Sequence, residues 1–166
     1  WAEANRSLIA HRFSAQIGAE IEKVMDIWHN GISRTSLDGQ VVWIHRKGAA
    51  PSDVGPLIIP GTRGSLSYLV APQGDQRPNA WSVAHGAGRK WNRSTAKGQM
   101  KSRFTAKSLI HTELGGRVIC EDKDLLFEEA PQAYKKIEMV IDDMLQAGLI
   151  SVIATFKPLI TYKVRK

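Results

Sequence analysis

Apolar residues recur at steps of three and four through the first 28 positions of the chain, a spacing typical of one face of an amphipathic helix. These positions are Ile9, Phe13, Ile17, Ile21, Val24 and Trp28. The pattern predicts one long helix that ends at Gly31, which would place His29 and Asn30 at its carboxyl end. Polar residues 33–39 are predicted to form a loop.

Short runs rich in valine, isoleucine and tryptophan follow, separated by turns that contain glycine and proline. They predict strands at residues 40–45, 56–59, 65–71, 80–84, 118–120, 149–157 and 159–164, with loops at 49–55 and 72–79. Helices are predicted at residues 91–101, 105–113 and 131–148. Because helices and strands do not alternate regularly, the pattern favours an α+β fold of mixed β-sheets with flanking helices.

Composition narrows the class of protein. The 166 residues are 43% hydrophobic with ordinary glycine and proline contents, which excludes collagen-like and intrinsically disordered chains. The single cysteine, Cys120, cannot form an intrachain disulfide and fits a reducing compartment. The longest uncharged apolar stretch, residues 149–156, is far shorter than the ~20 residues of a membrane helix, and the start of the chain has no signal-peptide pattern. We therefore expect a cytoplasmic protein with no membrane partner.

The net charge of the chain indicates the class of partner that it would bind. The chain has 23 Lys+Arg against 16 Asp+Glu, a net charge of +7, which favours anionic partners such as nucleic acid. The cations cluster in two places, and the plain alternative for both is a solvated basic face. The two clusters are Arg89, Lys90, Arg93, Lys97, Lys101, Arg103 and Lys107, and then Lys157, Lys163, Arg165 and Lys166.

Two turns containing glycine are candidates for phosphate binding, at residues 60–64 and 86–88. Glycine permits close approach of a ligand, and successive backbone amides can point into one concavity. His85 precedes the second turn, where an imidazole could act as nucleophile, general base or metal ligand. A helix amino end after this turn would add favourable partial charge. His29 could bind a divalent metal ion, although one ligand does not make a metal site.

Six blocks in this order resemble the carboxyl-terminal half of the RtcB family of RNA-splicing ligases. They are HN at 29–30, HRKGA at 45–49, PGTRGS at 60–65 with SY at 67–68, HGAGR at 85–89, EEAPQAYK at 128–135, and KPL at 157–159 with Lys163. The resemblance implies an RNA ligase for splicing or repair that uses GTP and manganese. It would join RNA ends bearing a 3′-phosphate or 2′,3′-cyclic phosphate to 5′-hydroxyl ends.

The resemblance also implies roles for single residues. His85 would be the nucleophile that carries GMP, and His29 would be a manganese ligand. Tyr134 would lie against the guanine and Lys163 would contact its edge. The GTP-binding residues would be Asn30, Pro60, Gly61, Thr62, Arg63, Ser67, Gly86, Ala87, Gly88, Tyr134 and Lys163. RNA phosphates would face Arg46, Lys47, Arg89 and Arg93, the last two expected one helical turn apart.

Departures from the family pattern suggest a divergent subgroup. The usual Pro-Gly-Ser-Met-Gly has Thr62 and Arg63 at its third and fourth positions, and Asn92 stands where serine is common. The amino-terminal motifs that supply most metal ligands in the family are not found in residues 1–166. We therefore expect this chain to be the carboxyl-terminal portion of a single catalytic domain, inactive until the missing half or another chain completes the metal site. An accessory activating protein remains open as a further partner.

A catalytically silent RNA-binding or regulatory domain that retains the scaffold is the main alternative. The altered turn at residues 60–64 and the missing amino-terminal motifs motivate it. A generic phosphatase or nucleotide hydrolase has less support, because the sequence offers no paired carboxylates or two-metal ligand set.

Overall fold

A computed structural model describes residues 1–164 of the chain. The helices in this part are α1 Ala2–Ile17, α2 Arg93–Lys101, α3 Lys123–Glu128 and α4 Ile137–Gln146. The strands are β1 Asn30–Leu37, β2 Gln40–Lys47, β3 Ala49–Pro51, β4 Leu57–Ile59, β5 Ser67–Pro72, β6 Ser82–Ala84, β7 Arg117–Cys120, β8 Ile150–Phe156 and β9 Ile160–Lys163. The fold is α+β with mixed small sheets, as predicted. Arg165 and Lys166 of the predicted basic carboxyl end lie outside the described residues.

The first helix is shorter than the periodic pattern predicts. Gly18 adopts a left-handed conformation with φ 65°, and the following amide of Ala19 donates to the carbonyl of Ser14, which closes α1. Residues 19–29 then run back beside the helix, where Arg6 donates to Asp26 over 2.5 Å. The prediction of a helix ending at Gly31 was therefore wrong. The longest helix has 16 residues, and none within residues 1–164 is suited by length and apolar character to span a bilayer.

A β-hairpin replaces the loop predicted at residues 33–39. Strands β1 and β2 pair antiparallel, and Leu37 opposes Gln40 across a two-residue turn. Both turn residues, Asp38 and Gly39, have positive φ, at 50° and 79°. This is the conformation that an Asp-Gly pair favours in tight hairpins.

The larger core lies between helix α4 and the antiparallel sheet β4–β5–β8. Alternate residues of the sheet face this core, and α4 covers them with its buried residues Ile137, Ile141 and Met144. Its fully or nearly fully buried residues include Leu57, Ile59, Val70, Ile137 and Ile141. The strands predicted at residues 56–59, 65–71 and 149–157 are all confirmed with shifted ends.

A second, smaller core lies among α2, α3 and β7. Met100, Val118 and Leu126 are buried there, at 0%, 3% and 3% exposure. Strand β7 pairs with β9 in parallel, so that Cys120 lies opposite Lys163. The sequence predicted β7 and β9 but not α3, whose first turn is capped by the Asp122 carboxylate.

Three predicted helices begin late or are missing, because side chains and turns determine where helices begin. Residues 105–113 contain only the 3₁₀ turn Lys107–Leu109. Pro131 opens a second 3₁₀ turn, Pro131–Ala133, after which the chain is extended until α4 begins at Ile137. Helix α2 begins at Arg93 because the Asn92 side chain accepts from the amide of Thr95.

We expect Gly61→Ala to destabilise the protein by at least about 2 kcal/mol, because a Cβ at this position would lie 1.9 Å from the Leu66 carbonyl oxygen. Chemical unfolding followed by circular dichroism measures the loss. Gly98→Ala is the matched control: it lies inside α2 with nothing within 4 Å of the added carbon, and we expect it to stabilise the protein slightly. Equal effects of the two substitutions would contradict this account.

Candidate functional site

A cavity of about 490 Å³ lies where four segments of the chain meet beside Gly48, the residue between β2 and β3. These are the β4–β5 connection, the segment after β6, the stretch between α3 and α4, and the approach to β9. Its wall is formed by Gly48, Pro60, Gly61, Thr62, Arg63, Ser67, His85, Gly86, Ala87, Gly88, Glu129, Tyr134, Pro158, Thr161 and Lys163. The structure thus gathers residues spread over more than 100 positions of sequence, and all predicted GTP-binding residues except Asn30 are among them.

The turn at residues 85–88 presents backbone amides to the cavity. The amides of Gly86, Ala87 and Gly88 have no hydrogen-bond acceptor within residues 1–164. Gly88 has a φ of 70°, a conformation that favours glycine. A Cβ on Gly86 would meet the Pro60 carbonyl oxygen at 3.4 Å, so the two turns are in close contact. The arrangement leaves three donors for an anionic ligand.

The turn at residues 60–64 differs from this, because serine and threonine hydroxyls already occupy its amides. The amide of Gly61 donates to Ser67 Oγ over 3.0 Å, and that of Thr62 to Ser65 Oγ over 2.7 Å. The amide of Gly64 donates to Thr62 Oγ1 over 3.2 Å. These bonds hold the turn as a rigid wall of the cavity, in which three of the four amides of residues 61–64 are already occupied.

His85 lies in the cavity wall with its ring stacked on that of His29. The ring centroids are 4.1 Å apart and the planes are inclined by 14°. Gly48 connects the two segments, since its amide donates to the His29 carbonyl and its carbonyl accepts from the His85 amide. Burial, and then the neighbouring His29 ring, lower the pKa of His85, which favours its neutral form. Nδ1 of His85 is buried without a partner among the described residues.

No helix amino end lies at this turn. Helix α2 begins at Arg93, five residues after Gly88, and Asn92 caps it. Arg89 precedes the helix, so Arg89 and Arg93 are not one helical turn apart as predicted. The partial charge of a helix terminus acts only within about one turn, and the backbone amides of residues 86–88 must therefore bind without it.

The Glu129 carboxylate binds three other side chains at the cavity wall. Glu129 accepts hydrogen bonds from the Tyr134 hydroxyl at 2.6 Å, Lys163 Nζ at 3.0 Å and Arg89 Nη1 at 3.1 Å. Burial alone would raise the pKa of Glu129, but the bonds from Tyr134 and Lys163 and the charge of Arg89 outweigh it and lower the pKa. Burial and the bond to Glu129 raise the pKa of Tyr134 to about 12. Glu129 is thus ionised and Tyr134 protonated near neutral pH.

Arg63 is a buried cation in the same wall, with 7% of its surface exposed. Nη2 donates to the Leu126 carbonyl over 2.8 Å, while Nε and Nη1 are buried without a partner among the described residues. Burial lowers the pKa of Arg63 from its ordinary value. Within residues 1–164 no carboxylate lies within ion-pair distance of it. The more distant Glu129 carboxylate favours the charged form of Arg63, but this effect does not outweigh burial.

Arg46 is buried and Arg89 is half-buried, and the hydrogen-bond donors of both are directed to groups of the protein itself. The side chain of Arg46 is 2% exposed and donates to Ser33, Ser82 and the Trp81 carbonyl. Arg89 donates to Glu129, Tyr134 and two backbone carbonyls, and its guanidinium lies 4.8 Å from the Tyr134 ring centroid. These bonds stabilise the fold and do not favour contact of either guanidinium with an external phosphate; RNA binding by Arg46 and Arg89 stays a prediction.

Lys47 and Arg93 are exposed as predicted. Lys47 ends β2 next to Gly48 of the cavity wall, and Arg93 Nε is 3.8 Å from Glu129. Asn30 is also exposed, at the start of β1, and it does not line the cavity. In the first basic cluster, Lys97 and Lys101 both bind Asp124, at 3.0 and 2.7 Å, and hold the pKa of that carboxyl at about 2.

The residues that sequence analysis missed are Glu129, Gly48, Pro158 and Thr161. Each lies inside or beside one of the six blocks, so adjacency to predicted site residues was the available signal. Glu128 is the last residue of α3 and is buried, whereas Glu129 follows the helix and reaches the cavity.

Manganese does not fit the part of the chain that the structure describes. Residues 1–164 contain no group of three or more histidine, cysteine, aspartate or glutamate side chains that could hold a metal ion. His29 is a single nitrogen donor beside His85, and a metal site needs further ligands. Cys120 is half-buried and donates to the Asp122 carbonyl over 3.1 Å, away from this pair.

Comparison with known proteins identifies relatives over nearly the whole chain. The family model described as tRNA-splicing ligase RtcB matches residues 1–164. "RNA-splicing ligase RtcB2" of Escherichia coli is 48% identical over 163 residues, which cover 98% of this chain and 43% of that protein. "RNA-splicing ligase RtcB" of Mycobacterium bovis is 32% identical over 184 residues, covering 96% and 41%. "tRNA-splicing ligase RtcB" of Methanocaldococcus jannaschii is 32% identical over 188 residues, covering 96% and 19%. The chain thus spans less than half the length of these relatives.

Arg63→Met should stabilise the nucleotide-free protein by about 1 kcal/mol or more, because it removes a buried charge with two unpaired nitrogens and keeps a similar volume. The free energy of unfolding in urea measures the change. Arg103→Met, at an exposed position, is the control and should change stability by less than about 0.5 kcal/mol. A loss of stability in Arg63→Met would mean that the guanidinium is paired in solution.

Tyr134 should ionise near pH 12, and Glu129→Gln should bring this value down while burial keeps it above the ordinary value of about 10. Tyrosinate absorbance measures the pKa, with Tyr134→Phe identifying the signal among the three tyrosines. Because the unfolded chain loses this proton first, stability should fall as pH rises between these two values. A steep fall that persists in Tyr134→Phe would contradict this assignment.

Proposed function

The chain belongs to the RtcB family of tRNA-splicing ligases, and from this premise we propose that it forms the nucleotide-binding part of an RNA ligase. The ligase joins RNA ends bearing a 3′-phosphate or 2′,3′-cyclic phosphate to 5′-hydroxyl ends, in splicing or repair. GTP supplies the energy through a covalent bond to His85.

The observation that carries this proposal is the position of His85. Its ring lies in the wall of a cavity beside three unoccupied amide donors, those of Gly86, Ala87 and Gly88. Fixed backbone amides stabilise the negative charge of a phosphate without having to reorganise during the reaction. A nucleophile adjacent to such donors is suited to attack phosphorus.

The reacting atom is His85 Nε2, because Nδ1 is buried without solvent contact. Its lone pair attacks the α-phosphorus of GTP, and the bond from that phosphorus to the bridging oxygen breaks with release of pyrophosphate. The nucleophile must be unprotonated, and the lowered pKa of His85 favours this form. The GMP group then passes to the RNA 3′-phosphate, and attack by the 5′-hydroxyl joins the strands and releases GMP.

The remaining wall residues bind the nucleotide. Pro60, Gly61, Thr62 and Ser67 provide the rigid turn next to the amides of residues 86–88. Tyr134 lies against the base and Lys163 contacts its edge. Arg63 contributes positive charge, which favours a triphosphate in the cavity.

RNA phosphates contact the two exposed cations next to the cavity, Lys47 and Arg93. Arg46 and Arg89 support the scaffold instead. We retain manganese as an expected cofactor of the whole enzyme, with His29 as one ligand and the others from outside this chain. The reaction steps above are therefore written for the groups of this chain alone.

Covalent labelling tests the proposal. The full-length protein that carries this chain is incubated with α-labelled GTP and Mn²⁺, and we expect acid-labile label on His85 and joining of RNA 3′-phosphate to 5′-hydroxyl ends. His85→Ala should lose both, and His11→Ala, an exposed histidine on α1, should retain both. Label that persists in His85→Ala would refute the assigned nucleophile.

A silent RNA-binding or regulatory domain is the other outcome of this experiment. The departure of residues 62 and 63 from the usual turn of the family motivates it, as does the lack of a metal-ligand group within residues 1–164. It predicts salt-sensitive RNA binding by the full-length protein without label or joining. That result would overturn the ligase proposal.

A further inference from the structure

Glu129 lines the cavity but has no role in the proposal above. It follows the last residue of α3, where its amide donates to the Leu125 carbonyl over 3.0 Å and fixes the backbone. Its side chain is 10% exposed, and its carboxylate is ionised despite this burial. A buried carboxylate is stable only when donors surround it.

Donors from three separate parts of the chain meet at this carboxylate. Tyr134 and Lys163 both donate to Oε2, over 2.6 and 3.0 Å, and Arg89 donates to Oε1 over 3.1 Å. Arg93 Nε is 3.8 Å from Oε1. A carboxylate oxygen accepts about two strong hydrogen bonds, so Oε2 has none left for a ligand. Glu129 therefore acts on its neighbours rather than on the ligand.

The two groups that share Oε2 are those proposed to bind the base. An ammonium has three N–H donors, and Lys163 uses one of them on Glu129. The other two remain for acceptors in the cavity. Guanine presents O6 and N7, two acceptors side by side, whereas adenine presents N7 beside an amino donor. An ammonium held in one place can distinguish these edges, while a mobile lysine side chain would have to be ordered on binding.

We infer that Glu129 is a positioning residue for purine selection: its carboxylate fixes the Lys163 ammonium and the Tyr134 ring so that the cavity accepts guanine over adenine. This inference rests on the proposed function, since it requires a purine nucleotide in the cavity.

The site should survive loss of the carboxylate charge. Arg89 also donates to the Glu128 and Trp91 carbonyls, over 2.5 and 3.2 Å, and these bonds do not involve Glu129. The Arg89 guanidinium lies over the Tyr134 ring, and the backbone pairing of Arg89 with Tyr134 is likewise independent of it. Glu129→Gln keeps the shape of the side chain and one acceptor oxygen, which makes it the appropriate substitution.

The experiment measures binding of GTP and ATP to the full-length protein by displacement of labelled GTP. We expect Glu129→Gln to weaken GTP binding by about tenfold, the order of one charge-assisted hydrogen bond, and to change ATP binding much less. The preference for GTP therefore falls. Glu121→Gln makes the same charge change at an exposed position and should leave both affinities unchanged.

A double-mutant cycle tests the inference even if Glu129→Gln alone destabilises the protein. Because Glu129 acts through Lys163, Glu129→Gln should change the GTP preference little once Lys163→Met is present. Independent, additive effects on preference would overturn the inference, as would equal weakening of GTP and ATP or an unchanged preference in Glu129→Gln. Failure of the unsubstituted protein to bind GTP would instead overturn the proposed function.

Discussion

The backbone pairing between Arg89 and Tyr134 is the contact on which the candidate site depends. The Lys90 amide donates to the Ala133 carbonyl over 2.8 Å, and the Lys135 amide donates to the Gly88 carbonyl over 3.0 Å. This short bridge joins the segment that carries His85 to the stretch between the two hydrophobic cores. Without it, the amides of residues 86–88 and the Glu129–Tyr134–Lys163 group would belong to separate parts of the fold.

Sequence periodicity located the strands of the sheet β4–β5–β8, but it missed strand β1 and misplaced the ends of helices. The strands at β4, β5 and β8 follow from local apolar runs, and the structure confirms them. The predicted helix at residues 131–148 begins only at Ile137, because residues 134–136 are extended beside the His85 segment. Likewise Gly18 ends α1, and residues 19–29 return along it through the Arg6–Asp26 pair. These tertiary contacts override the local preference for helix, and no periodic pattern in the sequence predicts them.

For the site, the resemblance to the family predicted most of the residues that line the cavity. It could not predict the direction in which their charged side chains point. Arg46 and Arg89 lie in basic sequence blocks next to the cavity. From the sequence alone, they are as good candidates for RNA contact as Lys47 and Arg93. In the structure, Arg46 and Arg89 donate hydrogen bonds to carbonyls and side chains of the protein itself. Lys47 and Arg93 are instead exposed. Glu129 was missed for a different reason, because the sequence alone does not show that it follows the end of α3 and reaches the cavity while Glu128 is buried.

The role of the Glu129 carboxylate follows from the charges around it in the cavity wall. Glu129 is ionised and is shared by Lys163 and Arg89, with Arg93 further away. Arg63 has no carboxylate at ion-pair distance within residues 1–164, so one negative charge faces several positive ones. An excess of buried positive charge destabilises the free protein and favours any state in which an anion enters the cavity. The thioether usual at position 63 in the family would avoid this imbalance. If the proposed function holds, Arg63 favours the nucleotide-bound state over the empty one, and the inferred role of Glu129 is to restrict which nucleotide binds.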